Sequence, residues 1–139
     1  MAIQLNVLTR NARLDTIEST NSTSCSLRIY SGAQPADCST ANSGTLLAHV
    51  LLPADWMGAA GSGIKAKAGT WEDATADGAG SAGHFRVYNS QATMDGTTCF
   101  MQGSVTATSG GGDMEVDNTV FATGQQFTIT TFTLTDGNA

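Results

Sequence analysis

The chain has 139 residues and a mass of 14.3 kDa, enough for one compact domain and too little to give two domains a core each. Only 13% of residues are charged and 6% aromatic, while 16 glycines and about twenty each of threonine and alanine take up the difference. This composition excludes a coiled coil, a helical bundle rich in Glu and Lys, and a charge-driven disordered tail.

The formal charge of -6 is unevenly spread. Residues 1–70 hold five basic and four acidic side chains, whereas residues 71–139 hold Arg86 alone against eight acids. No cluster of Lys and Arg is available to neutralise phosphates, so nucleic acid is not an expected partner. The sequence has no apolar run near the roughly twenty residues that cross a bilayer, so no membrane partner is expected. Its first residues lack the pattern of a secretory signal. The three cysteines form no C-x-x-C pair, and the expectation is synthesis in a cytoplasm with reduced thiols.

In chain order, residues 3–18 place Leu5, Leu8, Ala12, Leu14 and Ile17 at spacings that allow a short amphipathic helix with a thin apolar face. An extended arm is the alternative, and polar residues 18–24 end either one. From Cys25 onward the pattern alternates. Cys25, Leu27 and Ile29 share one strand face and Arg28 and Tyr30 the other. Residues 45–52 are apolar on both faces around His49. Residues 64–71 alternate with Lys65 and Lys67 on the outer face, as guards of a sheet edge. After a soft stretch at 72–83, residues 84–88 set Phe85 and Val87 opposite Arg86 and Tyr88. Asp95-Gly96 signals a hairpin into a strand at 98–105. Gly110 to Gly112 turn the chain into 113–117. In the last strand, 126–135, the apolar phase slips by one residue between Ile129 and Phe132, which predicts a bulge at Thr130 or Thr131. About seven short strands with regular turn signals indicate an all-β sandwich.

Motifs of chemistry are weak. Residues 78–83 read G-x-G-x-x-G, but no strand-then-helix context surrounds them, so they are expected to be a flexible loop rather than a nucleotide site. Asp113, Glu115 and Asp117 alternate along one strand, which favours a solvated or partner-facing edge over a calcium cage. His49 and His84 have no nucleophile elbow or local ligand spacing beside them. Cys25 and Cys99 are expected to be small buried hydrophobes. No catalytic residues, cofactor or metal ligands are assigned.

With so few Lys and Pro to guard sheet edges, the strands look safer when a partner covers them. Trp56, Met57, Tyr88 and Phe100 are then the expected interface anchors, with Arg10 and Arg13 on the N-terminal segment as cationic contacts.

The stretches 1–15, Leu27 to Pro35, Leu52 to Met57 and Phe127 to Ala139 resemble the capsid cement, or decoration, proteins of tailed bacteriophages. The resemblance implies a jelly-roll-like β-sandwich over residues 25–139, preceded by an arm or short helix over 1–24. It implies no enzymatic activity, and a place on the outer surface of the virion capsid. There the protein would staple neighbouring copies of the major capsid protein and pair with itself, as a homodimer before a trimer. A tail, collar or host-surface carbohydrate-binding accessory protein is the alternative.

Overall fold

The structure, a computed structural model, describes residues 3–21 and 23–137. Among these are one helix, α1 (Val7–Ser19), and nine strands: β1 (Ser26–Ser31), β2 (Leu46–Leu51), β3 (Ile64–Ala66), β4 (Glu72–Asp73), β5 (Gly80–Tyr88), β6 (Cys99–Ala107), β7 (Met114–Val116), β8 (Val120–Phe121) and β9 (Phe127–Thr135). The strands run β2-β1-β5-β6-β7-β9-β3 across one mixed sheet, with β4 added to β9 and β8 to β5. Only β6 and β7 pair in parallel. The sheet curls into a half-barrel, an all-β sandwich with a short N-terminal helix.

Alternation in the sequence fills the concave side. Leu27 and Ile29 of β1, Phe85 and Val87 of β5, and Phe127, Ile129 and Phe132 of β9 are buried there. Trp56 and Trp71 join them with ring centroids 6.2 Å apart, and Trp71 continues to Phe132 at 5.4 Å. Replacing one such ring by alanine typically costs about 3–5 kcal/mol, so this aromatic chain is the main anchor of the core.

The bulge falls where the hydrophobic phase slips. Glu115 of β7 faces Thr131 and Val116 faces Ile129, so Thr130 is left over and two exposed residues follow each other between buried Ile129 and Phe132.

Other expectations are corrected. The strand expected at 64–71 pairs only over Ile64–Ala66, and its faces are reversed. Ile64 is 46% exposed and Lys65 only 3%, because Lys65 Nζ finds Asp15, Glu18 and the Gly58 carbonyl inside. Lys65 is therefore not an edge guard.

Residues 78–83 are no flexible loop, since β5 begins at Gly80. A Cβ on Gly83 would lie 1.9 Å from the Gly32 carbonyl oxygen. Tyr30 pairs with His84 and Ser31 with Ala82, so Gly83 is the extra residue of a second bulge. Asp95-Gly96 is not a two-residue hairpin. It is one turn within residues 89–98, closed by Thr97 N–H on Asp95 Oδ1 at 2.8 Å.

The chain itself covers part of the sheet edges. Asp77 and Gly78 N–H donate to the Leu47 carbonyl at 2.8 and 3.2 Å, and His49 N–H donates to Asp73 Oδ2 at 3.0 Å, covering β2. On β3, Gly58 N–H meets the Ala66 carbonyl at 2.8 Å, and Gly61 exchanges two bonds with Ile64. The chain's own loops thus do what Lys and Pro do elsewhere.

Candidate interaction surface

Helix α1 decides what the N-terminal region can present. Asn6 caps it, accepting from Leu8 N–H at 2.9 Å, and only Leu14 of its residues is buried. So thin an apolar face gives little packing energy, and polar bonds dock the helix instead. Asp15 Oδ1 accepts from Ala60 N–H at 3.0 Å, Glu18 Oε1 from Met57 N–H at 2.9 Å and Asn11 Oδ1 from Gly63 N–H at 2.8 Å. The small residues at 58–63 are a ledge: a Cβ on Gly63 would overlap the Arg10 guanidinium. The helix alternative is the one realised, with α1 fixed against the sheet.

The expected contact residues take other places. Arg10 Nε donates to the Asp136 carbonyl at 2.7 Å and one terminal nitrogen to the Ser62 carbonyl at 3.2 Å. Arg13 pairs with the Asp136 carboxylate at 3.3 Å. Both arginines therefore tie α1 to the chain just after β9, with Arg13 still largely exposed. Trp56, Met57 and Tyr88 lie wholly inside, and Phe100 is half-buried against Trp56 at 5.9 Å. Full burial leaves the first three no surface to offer a partner, so they are corrected from interface anchors to interior residues.

What does face solvent is aliphatic. Ile3 is 87% exposed, Leu8 74% and Val7 43%, three large apolar side chains within six residues. Elsewhere among the described residues Leu51, Ile64 and Val120 are exposed singly. Leu8 thus leaves the apolar face expected from its spacing with Leu5 and Ala12, because the helix packs through Leu14, about 120° around its axis.

A groove of about 480 Å³ opens between β6, β7 and β9, with Met101 and Leu134 among its apolar lining and Asp113, Glu115 and Thr133 among its polar lining. Its carboxylates serve the chain itself. Asp113 Oδ2 accepts from Ser104 N–H at 2.8 Å and from Ser104 Oγ at 2.7 Å, which holds its carboxyl below the usual range. Glu115 Oε1 accepts from Gly111 N–H at 3.2 Å, and Asp117 Oδ1 from Thr128 N–H at 3.0 Å. Among the described residues no three His, Cys, Asp or Glu side chains gather as metal ligands. No described helix is long and apolar enough to cross a membrane.

On the convex side a polar layer lies under residues 32–44. Arg86, fully buried, donates to the Cys38 carbonyl at 2.6 Å, the Thr40 carbonyl at 3.0 Å, Asn42 Oδ1 at 2.6 Å and Cys99 Sγ at 3.2 Å. Tyr88 donates to the same Asn42 oxygen at 2.8 Å and shares a 3.1 Å bond with Tyr30. His84 stacks on Tyr30 with centroids 5.4 Å apart, and its Nδ1 lies 3.2 Å from the Gly32 carbonyl oxygen. This layer fixes a loop and holds no nucleophile–base pair. No family, curated protein or solved structure matches the chain.

Proposed function

We propose that the protein is a non-enzymatic structural component of a tailed-phage virion. It binds the outer surface of the capsid and staples neighbouring major capsid proteins, acting as a homo-oligomer, a dimer before a trimer. Beside the resemblance in the sequence, one observation supports this reading: the exposed aliphatic residues Val7 and Leu8 on a helix that ion pairs hold in place, with exposed Ile3 just before it. An apolar patch on a fixed support loses little conformational freedom on docking. Repeated over a shell and doubled within an oligomer, a weak contact of this kind becomes durable through avidity.

The test is sedimentation of purified shells with the protein at increasing concentration. Binding should saturate at a fixed ratio to coat protein. The double variant Ile3→Asp, Leu8→Asp should lose about tenfold or more in occupancy. Its fold should survive, since Ile3 is exposed before the helix and an acid at Leu8, in the first turn, is favoured by the helix dipole. Absence of saturable binding sinks the reading, and undiminished binding by the variant sinks the assignment of the patch.

The groove supports a second reading, a host-surface accessory protein that takes a carbohydrate, because hydroxyls and carboxylates rim an apolar floor. Specific signals on a glycan array, with no saturable shell binding, would favour it.

A further inference from the structure

The seam between residues 32–44 and the start of β6 holds two cysteines and a buried cation. Cys38 lies in the loop and Cys99 opens β6, and the Cys99 thiol is near enough to act on the Cys38 thiol, raising its pKa. Arg86 bridges the two residues, with Nε 3.2 Å from Cys99 Sγ and a terminal nitrogen 2.6 Å from the Cys38 carbonyl oxygen. The seam is tight on both sides of the pair. A Cβ on Gly96 would lie 2.2 Å from the Ser39 carbonyl oxygen, and Asn42 Nδ2 donates to the Met94 carbonyl at 3.1 Å. Both cysteines are half-buried, whereas Cys25 is enclosed in the core on the other side of the sheet.

Arg86 has no carboxylate among its partners, only neutral oxygens and a sulfur. Its Nε, donating to Cys99 Sγ at 3.2 Å, is placed to hold the negative sulfur that forms when Cys99 reacts. We propose that Cys38 and Cys99 are a thiol–disulfide modification site, in which the Cys99 thiolate, held by Arg86, attacks and Cys38 resolves. The result is a disulfide that staples the 32–44 loop to β6.

With a low-molecular-weight disulfide as oxidant, the Cys99 thiolate attacks one sulfur, forms a mixed disulfide and expels the other half as thiolate. Cys38 then loses its proton to solvent and attacks the Cys99 sulfur, expelling the second half. Two protein thiols are oxidised, one external disulfide is reduced to two thiols, and the protons released reprotonate them. Burial pushes the Cys38 thiol up to about 11, helped by the neighbouring Cys99, so Cys38 keeps its proton during the first attack. In its thiol form Cys99 points its proton at the Met101 carbonyl, 3.5 Å away, a weak bond that is lost without strain. The inference stands on the seam alone, whichever partner the outer surface takes.

The full-length protein is incubated with glutathione disulfide and read by intact mass, peptide mapping and thermal melting. The wild type should lose about 2 Da, map to a Cys38–Cys99 link and return to the starting mass with dithiothreitol. Its melting temperature should rise by about 5 °C or more on oxidation, because the link closes a long loop of the unfolded chain. Cys38→Ser should stall as a glutathione adduct on Cys99, about 305 Da heavier. Cys99→Ser should stay unmodified at Cys38. Wild-type mapping decides the matter even where a variant folds poorly. Survival of both thiols, a link through Cys25, or disulfides between chains overturn the proposal.

Discussion

Lys65 carries its ammonium inside the protein because α1 brings Asp15 and Glu18 to within 2.7 and 3.0 Å of it. Burial opposes the charge, yet the hydrogen bonds from the two carboxylates outweigh burial and raise its pKa. Lys65→Ala should lower unfolding stability by about 2–4 kcal/mol in urea titrations, somewhat less than a fully enclosed pair because Asp15 is half-exposed. A loss within 0.5 kcal/mol, about what a surface substitution causes, would show that the cluster contributes nothing. His84 meets the opposite fate. Burial pulls its pKa below the usual 6.5; the bond to Gly32 opposes this, and Arg86 adds to the lowering. His49 shifts the same way, from burial and then Arg28. Below about pH 6.5 the unfolded chain therefore takes up protons that the folded chain refuses, so stability falls as pH falls. Unfolding free energy should be lower at about pH 5.5 than at about 7.5, and His84→Gln should flatten part of that slope. The carboxylates of Asp37, Asp95 and Asp113, held below 3.8, add their losses only in more acidic solution. A flat profile between the two pH values would count against the buried neutral imidazoles.

At the scale of the element, glycine at close crossings sets the register. Gly83 lets β5 slip past β1 where the Gly32 carbonyl crowds it. Gly83→Ala forces that backbone apart and should cost about 3 kcal/mol, whereas Gly137→Ala, with open space around it, should be neutral. Equal melting temperatures for the two variants would refute the crowding. Elements of this kind were readable where a local rule sufficed. The β9 bulge follows from the spacing of Ile129 and Phe132 alone, and β1 and the second half of β5 follow from alternation. Strands β4 and β8 have two residues each, too few for any periodicity to register. The inversion of β3 depends on carboxylates 47 and 50 positions earlier, and the burial of Arg86 and Tyr88 on a loop some forty positions away. Pairing over such distances leaves no mark in a local window. The same holds for the surface: that α1 packs through Leu14 and leaves Leu8 outside, and that Trp56 and Met57 turn inward, depend on contacts with residues 57–68 far along the chain.

For the molecule as a whole, α1 is a structural part and no detachable arm. Residues 3–20 include a helix whose carboxylates neutralise buried Lys65 and whose arginines hold Asp136. Deleting that segment should abolish cooperative melting or lower its midpoint by at least about 10 °C, followed by circular dichroism at the β-sheet band. A truncated chain melting like the full one would restore the arm. The clamp between α1 and Asp136 also brings the helix and the end of β9 together. The turn at Gly124 opens to solvent at the far end of β9, and the nine-residue strand between that turn and Asp136 spans roughly 25–30 Å. A peptide grafted next to Asp136 would crowd the clamp, while one inserted at Gly124 would stand clear of it. The turn at Gly124 is thus the place for an affinity tag or a displayed epitope, at the end of β9 opposite Asp136.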